Sequence, residues 1–136
     1  MYETFPHTAD LGLRIQADSF DVLLSEAGRA LFATLVTNLD EVRLVERREF
    51  RIEGDDREYL FFDWLNELLY VYQKDRIVLA DFDTQVVPAG LRAVGRGETL
   101  DLSRHEPDHD IKAITYHGLK VMETSGRWLA EVIVDI

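Results

Sequence analysis

"GDDREYLFFDWLNELLYVYQKD", Gly54–Asp75, is the stretch around which the rest of the sequence arranges itself. Leu60, Trp64, Leu65, Leu68, Leu69 and Tyr72 recur at helical spacing and form a wide apolar stripe, and Phe61, Phe62 and Val71 carry apolarity around much of the circumference. A helix apolar on that much of its surface must be covered by other elements, so this is the expected central core helix. Asp55 and Glu58 stand in capping-box spacing, with Asp in place of the usual Ser or Thr.

Upstream, Tyr2–Pro6 and Leu11–Ala17 read as a strand pair joined by the polar turn around Thr8–Asp10. Asp18 and Ser19 can cap a first helix over Phe20–Val36, with Leu23, Leu24, Ala27, Leu31 and Leu35 on its inner face. "TNLD" closes it, and Val42–Glu53 reads as a strand. Downstream the pattern turns to β: Ile77–Val87 is one or two strands, Pro88–Gly90 a turn and Leu91–Leu102 a further strand or two. "SRHEPDHD" is a charged loop in which Pro107 blocks a helix. Ile111–Met122 and Trp128–Ile136 flank "TSGR" as a hairpin, with Trp128, Ala130, Val132 and Val134 on one face of the last strand. This order predicts an α+β, two-layer domain.

The 136 residues suit one domain, residues 1–136, and no repeat or linker divides them. Apolar residues at 46% argue against disorder. The absence of cysteine removes disulfides, thiolate metal sites and cysteine nucleophiles. No apolar run is long enough to span a bilayer, and Met1 leads into a strand rather than a signal peptide, so a soluble, cytoplasmic protein without membrane association is expected. A net charge of −11 repels phosphate backbones, which argues against direct strong nucleic-acid binding and eases binding of metal ions or a basic protein partner. The same charge also serves solubility alone.

Asp135 is the most informative isolated polar residue. Ending an apolar strand in Asp-Ile sets a side-chain carboxylate beside the main-chain end at Ile136, half of an oxygen site for a hard cation. Asp10 would add a third carboxylate if the last strand ran near the Thr8–Asp10 turn. The alternative is that Asp10 caps a turn and Asp135 solubilises a frayed end. His105 and His109 are four apart, but Pro107 removes the helix that would put both on one face. His117 alternates within a strand and reads as a packed or hydrogen-bonded imidazole, and His7 as a residue that orients its turn. Asp63 and Glu67 read as the solvated side of the core helix. Gly95 and Gly97 are too few for a phosphate loop, and no serine has a nucleophile-elbow context.

"HTADLGLRI" (7–15), "YLFFDWLNELLYVY" (59–72), "KAITYHGLKV" (112–121) and the terminal "VIVDI" together resemble the archease family, in order and from end to end. The resemblance implies a small fold in which two helices pack on a mixed, mostly antiparallel β-sheet. It implies a protein that is not itself an enzyme but activates an RtcB-type RNA ligase in tRNA splicing or repair, promoting guanylylation of the ligase and its multiple turnover. A chaperone-like role toward a tRNA methyltransferase is the alternative partner reading. By position, the resemblance makes Asp10, Asp135 and Ile136 the metal site, Ile136 through its main chain or terminal carboxylate. Ca2+ is the expected occupant, with Mg2+ or Mn2+ able to substitute. His7 and Arg104 are carried over as partner-contact candidates. A small metal-dependent hydrolase using the same carboxylates is disfavoured, because no general base or deep-pocket motif accompanies them.

Overall fold

A computed structural model of the chain describes residues 1–7 and 10–136, with the backbone alone at His7. The elements are β1 (Tyr2–His7), β2 (Asp10–Ala17), α1 (Phe20–Leu35), a 3-10 turn (Leu39–Glu41), β3 (Glu46–Glu53), α2 (Arg57–Asp75), β4 (Ile77–Val87), β5 (Gly90–Thr99), β6 (Ala113–Thr124) and β7 (Arg127–Asp135). The two helices and the α+β class are as the sequence predicts. The strands, expected in one mixed sheet, form two: a four-stranded sheet ordered β1-β2-β7-β6 and a three-stranded sheet ordered β3-β5-β4. Every pairing among them is antiparallel. Alternation along a strand says which face is buried, not which strand lies alongside, so this division needed the tertiary structure.

Local chemistry accounts for the helix boundaries. Ser19 Oγ accepts from the Val22 N–H at the start of α1, and Asp56 caps α2 by accepting from the Tyr59 N–H at 3.1 Å. The cap is therefore Asp56, one residue beyond the expected Asp55. Helix α2 ends at Arg76, whose left-handed backbone (φ 53°) returns its N–H to the Tyr72 carbonyl. At the end of α1 the last-turn carbonyls of Leu35 and Thr34 accept from the N–H groups of Asp108 and His109. The charged loop is thereby sewn onto a helix end that would otherwise hold orphan acceptors.

The buried residues form one contiguous cluster between the helices and the inner sheet faces. Helix α1 packs on β4 and β2, and α2 packs on β6. On the four-stranded sheet, Leu13, Ile15 and Ala17 of β2 lie opposite Val132, Ala130 and Trp128 of β7, and all six are buried. The intervening residues, Asp10, Gly12, Arg14 and Gln16, face away from the core with their β7 partners. The expected strand over Val42–Glu53 begins only at Glu46. Before it, Val42 donates its N–H to the 3-10 turn and Arg43 donates to the Glu98 carboxylate, so these groups are not available to a ladder.

Two irregularities shape the strands. The register of β6 on β7 jumps between Thr115 and Lys120, around Gly118 at φ 77°. This bulge buries Leu119, stacks the exposed Tyr116 ring on Tyr59 with centroids 5.2 Å apart, and leaves His117 exposed. The expected packed His117 is therefore corrected, because it falls in a bulge rather than on a regular strand. In β5, Gly97 lies so close to the shifted β4 ladder that an added Cβ would sit 1.8 Å from the Val78 carbonyl oxygen. Gly97→Ala is expected to force β4 and β5 apart and to cost about 2 kcal/mol of stability in chemical denaturation.

Candidate functional site

The four-stranded sheet ends in one transverse row. His7 pairs with Asp10 across the β1–β2 hairpin, Asp10 pairs with Asp135 across β2 and β7, and Asp135 pairs with Ala113 across β7 and β6. The second and last strands thus bring Asp10 and Asp135 directly opposite one another on the outward face, and Ile136 follows immediately. All three are half-buried. The Asp135 carbonyl accepts from the Lys112 N–H at 2.7 Å, which pins the last residues to the sheet. The side chain of His7, and Thr8 and Ala9, lie outside the described residues.

Two carboxylates directly opposed across strands repel one another. The same sheet face handles charge differently elsewhere. Arg14 lies between Glu3 and Glu131 in the register, donating to Glu3 at 2.9 Å and to Glu131 at 2.7 Å, and stacks over the Phe5 ring at 4.7 Å. That row alternates in sign, whereas the tip row sets Asp10 beside Asp135, between His7 and Ala113. A donor set of carboxylate and main-chain oxygens suits a hard divalent cation. Among the described residues no three His, Asp or Glu side chains gather as a metal-holding group. A cation held by Asp10 and Asp135 would therefore draw further oxygens from Ile136, from water or from a partner.

Sequence reading does not single out a second charged centre that the fold assembles. Glu98 at the end of β5 is 7% exposed. It accepts from the Arg43 N–H at 2.7 Å, from the Arg104 guanidinium and from His105 Nε2 at 3.0 Å. Burial alone would raise its pKa, but these hydrogen bonds outweigh burial and hold it down to about 2. Arg104, a partner-contact candidate from sequence, is engaged within its own chain by Glu98 and Asp101. His105 is buried and fully hydrogen-bonded, whereas His109 is partly exposed and 3.9 Å from Asp108. The two histidines serve separate surroundings. The signal that could have found this centre is an acidic residue ending an apolar strand just before an Arg-His pair.

No helix among the described residues is long and apolar enough to cross a membrane.

The chain is similar to known proteins along its whole length. Residues 2–136 match the model of the Archease protein family (MTH1598/TM1083). The protein archease of Methanopyrus kandleri is 40% identical over 139 residues, covering 99% of each chain. That of Pyrococcus abyssi is 37% identical over 140 residues, covering 99% of this chain and 98% of its own. Among solved structures, protein 1598 of Methanobacterium thermoautotrophicum superposes with a TM-score of 0.85 at 29% identity, covering 99% of this chain and 98% of that one. An archease and possible chaperone from Thermotoga maritima superposes with a TM-score of 0.71 at 25% identity, covering 100% and 98%. Matched by the family model over residues 2–136 and at 40% identity along its length by a relative, the chain belongs to the archease family.

Proposed function

We propose that this protein is a non-catalytic activator of a cytoplasmic RtcB-type RNA ligase, acting through the acidic tip at Asp10 and Asp135. The observation that carries the reading is the direct opposition of these two half-buried aspartates at the end of the four-stranded sheet. There they can present a divalent cation, Ca2+ foremost and Mg2+ or Mn2+ in its place, with Ile136 as a further oxygen donor. Bound there, the cation would offset negative charge that develops in phosphoryl transfer when the tip meets the ligase. The net charge of −11 steers the encounter toward a basic, RNA-binding enzyme.

The test is guanylylation of a cognate ligase at limiting metal, with and without this protein. The wild type is expected to accelerate the step and sustain multiple turnover. Asp10→Asn and Asp135→Asn should return the rate to that of the ligase alone while leaving thermal unfolding of the activator unchanged. Full stimulation by both variants would discard the metal-bearing tip.

A chaperone-like role toward a tRNA methyltransferase is the second reading, favoured by the description of the Thermotoga maritima relative as a possible chaperone. It requires no cation. Equal protection of the methyltransferase from thermal aggregation by wild type and Asp10→Asn would support it.

A further inference from the structure

The outer face of the three-stranded sheet carries a concentration of arginine at odds with an acidic protein. The register stacks its side chains in transverse rows: Arg47 opposite Arg96, then Glu49, Val94 and Asp83, then Arg51, Arg92 and Gln85. The first two rows neutralise one another, Arg47 with Glu49 at 2.8 Å and Arg96 with Asp83 at 2.8 Å. The third row has no such compensation. Arg51 and Arg92 are directly opposed and exposed, and neither makes an ion pair or hydrogen bond among the described residues. Like charges opposed across strands are destabilising, so a counter-anion would stabilise this row. A shallow cavity of about 660 Å³ opens over this face, lined by both arginines, Val94, Glu49 and Asp83.

We propose that Arg51 and Arg92 form the phosphate end of a small-molecule site that takes a phosphate monoester of mononucleotide size. Two guanidinium forks match the oxygens of one phosphate, and a monoester near −2 balances both cations, where a carboxylate would balance only one. The cavity lies within the size range of small-ligand pockets. From the phosphate the ligand would cross the apolar Val94 toward the carboxylates of Glu49 and Asp83, which accept hydrogen bonds from amine or hydroxyl groups. A nucleic-acid strand fits less well, because the protein as a whole, at a net charge of −11, repels a continuous polyanion. This inference does not depend on the ligase reading.

The test is an NMR titration of arginine side-chain Nε–Hε resonances with inorganic phosphate, adenosine 5′-monophosphate and a short RNA, at matched ionic strength. Saturable shifts at Arg51 and Arg92 are expected with phosphate, and tighter ones with the mononucleotide. R51Q/R92Q should lose at least tenfold in affinity, and R51Q alone should weaken binding if the double variant unfolds. Without ligand the double variant should be at least as stable as wild type, because it removes the opposed charges. Several outcomes would overturn the proposal: no saturable shift up to about 10 mM ligand, undiminished binding by the variants, equal affinity for phosphate and the mononucleotide, or tighter binding of the RNA.

Discussion

Trp64→Ala is expected to lower the unfolding free energy by about 4 kcal/mol, in the upper range for truncation of one core side chain. Trp64 is fully buried on α2. Its Nε1–H donates to the Leu24 carbonyl of α1 at 2.8 Å. Its ring meets Phe50 of β3 edge-on at 5.3 Å and Phe82 of β4 edge-on at 5.9 Å. One side chain thus joins both helices to the three-stranded sheet. Truncation removes the apolar burial and leaves a cavity that rigid neighbours on several elements cannot close. Trp64→Phe keeps most of the ring volume and should lose about half as much. The measurement is urea denaturation followed by far-UV circular dichroism, with fluorescence of the remaining Trp128 as a second probe. A loss below about 1.5 kcal/mol for the alanine variant would mean that Trp64 is not the joint between these layers.

Glu98→Gln is expected to cost about 3 kcal/mol at neutral pH and much less in strong acid. His105 Nδ1 accepts from the Asp101 N–H at 2.9 Å, so the ring hydrogen sits on Nε2 and points at Glu98. Arg104, His105 and the Arg43 N–H therefore all donate to one carboxylate, and glutamine keeps the shape but brings its own N–H groups against donors. The pH dependence follows from the lowered pKa. The folded carboxylate titrates at about 2 and its ordinary value is 4.5. Its contribution is complete above about 4.5, declines as pH falls, and is gone below about 2. The stability difference between wild type and Glu98→Gln should narrow through that window. Paired denaturation curves from pH 7 down to about 2 would show it, and a constant difference would contradict the buried network.

The same network shows why the charged loop is legible only in outline from sequence. Pro107 and the density of charge in 103–110 mark a loop, and a loop it is. Its role as a strap over the end of α1 rests on backbone N–H groups reaching Leu35 and Thr34, and backbone groups carry no sequence signature. Arg104, carried over by the resemblance as a partner-contact candidate, is engaged by an acid at the end of β5.

Periodicity carried much of the fold. The stripe along α2, the cap at Ser19 and the alternation of Trp128, Ala130, Val132 and Val134 are local patterns, because helix and strand geometry repeat every few residues along the chain. Asp10 and Asp135 were visible as acids at strand ends. Their opposition was not, because it depends on β2 and β7, from the two ends of the sequence, pairing in one register, and a slip of one residue would part them. The division into two sheets, the bulge around Gly118, and the meeting of Arg51 with Arg92 belong to the same class. Sequence by itself determined which elements form and which faces they bury. Only the tertiary structure decided which polar side chains face one another, because long-range register is set by the whole core at once.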